Sequence, residues 1–468
     1  MSLLWFRRPC SSKCEMSKKE AEAAGACGGS LPHPGTSDGP WRLGYLDFWP
    51  VMLKKGGTFS FPEYEPFGPC IQRCNDYLMA NPHLEVITVE SVETKIRYGA
   101  GVNPEIMAYM DYTNAMSFVR GLRLWIRPRQ EPGPPQQLAH INVMPGLLKK
   151  GGVFSEAVFE NLSTVVDNVN KMFRDKPLPG RILTIETQDM KMNHGLFSSN
   201  HTINPDQSAW VECPGHIFLF VLRIFYIVGP PAMEEIGFSD SLPTCLKEGS
   251  WTKLPHFTPV HQTVLQAQDW IKKYQSSVRI TNVQAIEHKV NYGMNFTAST
   301  AFDPSKMSYW NRQLTVFVRG IRVAYVKAME GYSIPPSVRP IVLTERVFYP
   351  VQLTNCKTFQ LPTFETLSQT MHRANEWLKH VDANVVGVET IAIRIMARAY
   401  GMGPEYIGAD ASFSVGEGGK KRGGCIMQIV LRIYLDNYYT EPPPHLLPPV
   451  PEGIQHWTSV SAQACTLL

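Results

Sequence analysis

The sequence predicts an α+β protein: four tandem β-α-β-β repeats of about 100 residues, each an antiparallel sheet with one helix packed on a face. Three observations carry this. First, one six-residue formula is spelled four times, as Gly121 to Ile126 (GLRLWI), Val221 to Tyr226 (VLRIFY), Gly320 to Tyr325 (GIRVAY) and Val430 to Leu435 (VLRIYL). Its arginines, Arg123, Arg223, Arg322 and Arg432, recur about every 100 residues, an interval long enough to bury a core. Second, each copy is preceded by a stretch with an acid or amide and a base five places on: Glu90/Lys95, Glu186/Lys191, Gln284/Lys289 and Glu389/Arg394. Third, a helical pattern lies ahead of each such stretch.

Each repeat opens on a short extended segment: Trp49-Pro50-Val51, Ile141-Asn142-Val143, Thr258-Pro259-Val260 or Tyr349-Pro350-Val351. Proline cannot donate to a ladder, so it suits a strand start or an edge. Two copies continue with an identical Lys-Lys-Gly-Gly turn, Lys54 to Gly57 and Lys149 to Gly152. The helix is clearest in the fourth copy, where Phe364, Leu367, Met371, Ala374 and Leu378 share one face and Pro362-Thr363 supply a start. It closes on Asn375-Glu376-Trp377-Leu378, matched by Asn75-Asp76-Tyr77-Leu78, Asn170-Lys171-Met172-Phe173 and Gln268-Asp269-Trp270-Ile271. The aromatic or methionine and the aliphatic residue after it are expected to anchor the helix on the sheet.

The second strand is expected over residues 87–95, 183–191, 281–289 and 386–394, and the third is the arginine formula itself. Alternation puts Leu122, Leu124 and Ile126 on one face, Arg123 and Trp125 on the other. One face should carry the repeat's own helix and the other a neighbouring repeat. Proline-interrupted linkers at 127–138, 229–255 and 330–340 bound the repeats at 41–130, 138–230, 251–330 and 341–440. Residues 1–40 are expected to be disordered, as is a proline-rich tail over 441–468.

A length of 468 residues agrees with three or four domains, and a net charge of +4 gives no argument for nucleic acid. Ten cysteines at uneven spacing show no disulfide framework. The apolar start within Met1 to Arg8 is far too short for an h-region, so no cleavable signal is expected, and the longest apolar run, Ile217 to Val228, is of strand length with Arg223 inside it. A soluble, cytoplasmic protein of a reducing compartment is expected.

The repeated arginines are read as structural partners of Glu90, Glu186 and Glu389 on the adjacent strand; Gln284 replaces the glutamate in the third copy, so pairing must differ there. Gly416 to Gly424 does not fit a phosphate loop. It reads as a solvated hairpin loop whose Lys420, Lys421 and Arg422 are candidates for contact with an acidic partner or anionic lipid. His194, His201, Cys213 and His216 are zinc-type residues at irregular gaps, too weak a pattern to assign a metal. Cys70 and Cys74 read as buried thiols. No triad, paired-carboxylate frame or dinucleotide fingerprint is present, and no cofactor is expected.

Cys465-Thr466-Leu467-Leu468 has the C-a-a-X form, with the final leucine favouring geranylgeranyl. Pro442 to Pro451 would serve as a tether. No polybasic run accompanies it, and a single lipid needs a second signal for stable attachment. The expectation is therefore a non-enzymatic scaffold for protein partners, tethered peripherally to a membrane through Cys465. Its specificity is expected in the loops between second and third strands, 98–115, 193–215, 291–312 and 399–424. The rival reading is a small-molecule binder or enzyme with a pocket between paired repeats, lined by Trp125, Tyr226, Tyr325 and Tyr434.

Overall fold

A computed structural model describes residues 42–56, 62–97, 102–111, 116–131, 133–151, 157–192, 203–211, 217–248, 256–291, 303–310, 315–335, 340–354, 363–395, 410–415 and 425–450. Among them, small antiparallel sheets and four helices form a propeller-like ring. The first unit contributes β1 (Gly44–Phe48), α1 (Gly68–Ala80), β2 (Leu84–Arg97), β3 (Ala108–Asp111) and β4 (Met116–Pro128). The second has β5 (Leu138–Val143), α2 (Leu162–Asp175), β6 (Gly180–Lys191), β7 (Ala209–Val211) and β8 (Ile217–Val228). The third has β9 (Glu234–Ser241), α3 (Val260–Tyr274), β10 (Arg279–Asn291), β11 (Ser308–Trp310) and β12 (Thr315–Ala328). The fourth has β13 (Thr344–Phe348), α4 (Leu367–Leu378), β14 (Val385–Ile395), β15 (Phe413–Val415) and β16 (Cys425–Leu435).

In each sheet the arginine strand is central. β4 pairs with β1 and β2, β8 with β5 and β6, β12 with β9 and β10, and β16 with β13 and β14, all antiparallel. A fourth, short strand comes from another unit. β7 pairs with β4, β11 with β8 and β15 with β12, while β3 of the first unit pairs with β16 of the last. Each loop between second and third strands thus completes a neighbour's sheet, and the β3–β16 pair closes the circle. These loops were expected to carry specificity; their described parts are structural clasps.

The same loops cap the helices. Phe67, before α1, has no capping side chain, and Asp206 supplies its carbonyl to Phe67 N at 2.8 Å and Oδ1 to Gly68 N at 2.9 Å. Pro259, before α3, likewise lacks one; Asp410 accepts from Val260 N and His261 N, both at 2.8 Å. Glu105 does this for α4 through Leu367 N and Ser368 N, and the Ser305 carbonyl accepts from Leu162 N of α2. Acceptors, three of them carboxylates, thus sit where the helix leaves its N–H groups unpaired and its dipole is positive.

Helices fill the wedges between sheets. α1 packs on Leu122, Leu124 and Ile126 of its own sheet and on Leu138 and Phe225 of the next. α2 lies between Leu222 and Ile224 and the third unit's Ile236 and Ala324. α3 bridges Val323 and the fourth unit's Tyr434, and α4 bridges Leu431 and Ile433 to Tyr45 and Trp125 of the first. The two faces expected of the third strand are therefore both in use. Burying one such leucine or phenylalanine contributes about 1.5–3 kcal/mol.

Several boundaries differ from the sequence reading. The third unit's first strand is Glu234–Ser241, inside the stretch read as linker, because Glu234 and Glu235 sit buried against Arg279 and Lys327. Thr258-Pro259-Val260 is the start of α3, not a strand. α4 begins at Leu367, capped by Thr366 in a reciprocal box with Gln369; Thr363 instead bonds Thr354 in a hairpin. The tail expected to be disordered from 441 is ordered through 450: Glu441 accepts from Trp377 Nε1 at 3.0 Å, and Leu447 packs on the α4 cluster. Residues 1–41 and 451–468, with Cys465, lie outside the described residues, as do Lys420, Lys421, Arg422, His194, His201, Cys213 and His216.

Candidate functional site

The innermost strands, β2, β6, β10 and β14, surround the ring axis. Each carries a bulge at the same place, at Ile87, Leu183, Thr281 and Val386, three residues before the recurring acid or amide. Beyond it Glu90, Glu186, Gln284 and Glu389 fall directly opposite Arg123, Arg223, Arg322 and Arg432 in register.

Opposition in register does not make these the closest ion pairs. Arg123 forms a bidentate pair with Asp47 on β1 at 2.6 Å for both bonds, and Arg322 does so with Asp240 on β9 at 2.7 and 2.8 Å. Arg432 meets Glu345 on β13 at 2.9 Å and Glu389 at 3.3 Å. Arg223 faces Asn142 instead of an acid, at 2.9 Å, and lies 4.0 Å from the centre of the Phe67 ring. Burial, then Arg120 nearby, pushes its pKa down to about 9. The expected partners are corrected accordingly: the arginines turn mainly to the first strand, and of the three glutamates only Glu389 bonds its arginine.

The glutamates turn to the next sheet. Glu90 Oε1 accepts from Thr390 N and Oγ1, both at 2.6 Å. Glu186 accepts from Ser91 N at 2.8 Å and Ser91 Oγ at 2.7 Å. Gln284 accepts from Thr187 N at 3.0 Å and donates to Thr187 O at 3.1 Å, which a carboxylate could not do. Glu389 accepts from Ala285 N at 2.9 Å. Every acid or amide thus clamps the residue that follows its counterpart in the preceding unit, and Glu90 clamps the last. Such buried acceptors keep strand N–H groups satisfied at a seam where no ladder runs.

Two adjoining spaces, of about 290 and 250 Å³, lie along this axis. Their walls include Glu90, Glu93, Asp189, Gln284, Glu287 and Glu389. Burial pushes both Glu90 and Glu93 up to about 7, against the pull of Arg123 on Glu90 and of Arg120 on Glu93; burial also raises Glu186. Glu93 pairs with Arg120, Glu287 with Arg319 at 2.6 Å, and Asp189 accepts from Tyr309 OH at 2.7 Å. Among the described residues, no group of three or more His, Cys, Asp or Glu is placed to hold a metal ion.

Of the aromatics expected to line a pocket, Trp125 and Tyr434 are fully buried in the helix wedges. Tyr325 lies across Gly237, with Trp270 at 4.9 Å between ring centres, and Tyr226 is half-buried beside Gly180. The cavity is axial instead, lined by second-strand residues together with Trp49, Met107, Phe118 and Phe220. Cys70 and Cys74 are buried in α1, with burial raising both thiols.

Two groups of residues escaped the sequence reading. Asn75, Asn170 and Asn375 in the helices each grip the backbone of the next unit's first strand, at Leu138, Ile236 and Leu43. The recurring asparagine in the helix-closing formula was the signal. Asn103-Pro104, Asn204-Pro205 and Asp303-Pro304 each turn the chain ahead of the donated strand, through side-chain acceptance from the N–H two residues on. No family model, curated protein or solved structure matches this chain.

Proposed function

We propose that the protein is a non-enzymatic scaffold: four copies of one β-α-β-β module, closed into a ring, that present one face to protein partners. The observation carrying this reading is the circular set of clamps from Glu90, Glu186, Gln284 and Glu389, which commits the most regular polar residues of the chain to cohesion. A second element of the proposal is a peripheral membrane tether through Cys465, cytoplasmic in location, with Lys420, Lys421 and Arg422 as contact residues. Affinity capture with the intact chain, compared with its Cys465→Ser form, tests both parts. Partners retained by both forms support the scaffold; equal partition of the two forms between membrane and soluble fractions ends the lipid tether. Absence of any saturable protein partner ends the scaffold.

One observation favours the rival reading, a small-molecule binder. The axial cavity of about 290 Å³ gathers carboxylates whose pKa values are raised, and a cationic ligand would relieve them. A thermal-shift screen with small polyamines and guanidinium compounds tests it. A stabilisation that Glu93→Gln abolishes supports the reading, and no shift with any compound removes it.

A further inference from the structure

Between its first strand and its helix, each unit raises a small hairpin. Met52–Lys54 pairs with Glu63–Tyr64, Leu147–Lys149 with Val158–Phe159, Cys245–Lys247 with His256–Phe257, and Gln352 bridges Phe364. At the same place in each stands an exposed leucine: Leu53 at 61%, Leu148 at 66%, Leu246 at 59% and Leu353 at 39%. Val51, Met144, Leu147 and Val158 are exposed beside them. Eight of the seventeen exposed large apolar residues among those described therefore sit on these hairpins or next to them, which is a concentration rather than scatter.

The topology puts all four hairpins at one end of the ring. Thr88 meets its equivalent Thr184 across one seam, and at every seam an acid or amide meets the residue after its counterpart, Glu186 with Ser91, Gln284 with Thr187, Glu389 with Ala285 and Glu90 with Thr390, so these strands run in one direction about the axis. Each first strand is antiparallel to its third strand, hence parallel to its second. The hairpins that follow the first strands consequently emerge together.

We infer that this face docks on an anionic lipid bilayer, the leucines entering the interface and the neighbouring lysines meeting the headgroups. Lys54 and Lys55 follow Leu53, Lys149 and Lys150 follow Leu148, and Lys247 follows Leu246, all exposed. Among the described residues, Glu63, Glu248 and Glu160 oppose these five cations, Glu160 held by Gly146 N at 2.8 Å, while Glu65 and Glu365 are taken up by Arg73 and Arg373. Four apolar points spread around an axis suit a fluid, laterally adaptable surface better than a protein, which needs one contiguous patch. Strand pairing within the hairpins also leaves fewer backbone groups unsatisfied on entering lipid. This deepens the tether part of the proposed function by supplying the second signal that a single prenyl chain requires.

The test is sedimentation of the full, unlipidated chain with vesicles of phosphatidylcholine alone or with about 30% phosphatidylserine. Binding is expected to the anionic vesicles and to be weak on the neutral ones. Replacing all four leucines by serine lowers partition by about tenfold or more, with an unchanged melting curve because the residues are exposed. Replacing Lys54, Lys55, Lys149 and Lys150 by glutamine removes the preference for anionic lipid. No binding, equal binding to both vesicles, or binding that survives the leucine replacements overturns the inference. So does capture of a protein through the same leucines without vesicle binding. Cys465→Ser leaves this assay unmoved, so failure here is separable from failure of the prenyl tether.

Discussion

Glu186 on one sheet holds Ser91 on its neighbour by the backbone N–H at 2.8 Å and the hydroxyl at 2.7 Å. The same Ser91 hydroxyl accepts from Arg223 Nη1 at 2.8 Å, so a buried acid and a buried arginine of one sheet meet on one serine of another. The seam is held by charge-assisted bonds that water does not reach.

Glu186→Ala should therefore destabilise the protein by about 3 kcal/mol, since it strands Ser91 N–H and leaves Arg223 with less compensation. Glu186→Gln keeps an acceptor and reproduces the chemistry of Gln284, so its cost should be about 1 kcal/mol. Denaturant unfolding of both variants checks this; equal losses would contradict the clamp.

The arginine pairs make a second contrast. Arg322→Ala should cost about 2–3 kcal/mol by leaving Asp240, which is only partly open to water, without its guanidinium. A double-mutant cycle should show strong coupling between Arg123 and Asp47 and much weaker coupling between Arg123 and Glu90, although Glu90 stands directly opposite. The reverse order would refute the assignment.

The closing seam rests on Asn375, which exchanges two bonds with Leu43 at 2.5 and 3.0 Å, and on Glu105 at the start of α4. Asn375→Ala and Glu105→Ala should each cost about 1–2 kcal/mol. Hydrogen exchange should quicken at Leu43 in the first and at Ser368, whose N–H bonds the Glu105 carboxylate, in the second. Protection lost at the α2 start instead would show that the seams are not separate.

Two titrations should run in opposite senses. Glu90 and Glu93 have folded pKa values of about 7 against an ordinary 4.5, so the folded state binds more protons and their contribution to stability falls as pH rises through that window. His140 is held neutral by burial, its pKa lowered from 6.5 to about 3, so stability is lost as pH falls below 6.5. The melting temperature of Glu90→Gln, measured relative to the parent, should rise between pH 5 and pH 8. That of His140→Phe should rise between pH 7 and pH 4. Flat differences would contradict either shift.

Antiparallel sheets with a helix ahead of each second strand were legible because their signals are local, an alternating apolar strand with an arginine in it and a helix with 3,4 spacing, whereas the hairpins and the donated strands were not. Residues that read correctly were those whose periodicity matches their own element, such as Leu122, Leu124 and Ile126. The wedge position of Trp125 followed from its place on the opposite face. What could not be read were relations across seams. Arg123 has Glu90 on one side and Asp47 on the other, and only the geometry of both strands decides between them. Asp206, Asp410 and Glu105 are ordinary loop acids in sequence, made into caps by a helix about 140 to 260 residues away. The missed strand Glu234–Ser241 has two leading acids and a glycine, a poor strand signal rescued by Arg279, Lys327 and the Tyr325 ring over Gly237.

Because β3 of the first unit lies in the sheet of the last, no unit is terminal in the sense that an end repeat of a solenoid is. A linear array can fray from its outermost member and survive shortened. Here the loss of any one module would strip an edge strand and a helix cap from one neighbour and a packing surface from the other. Unfolding should accordingly be a single cooperative event, and a three-module fragment should behave as an unfolded chain rather than as a smaller ring.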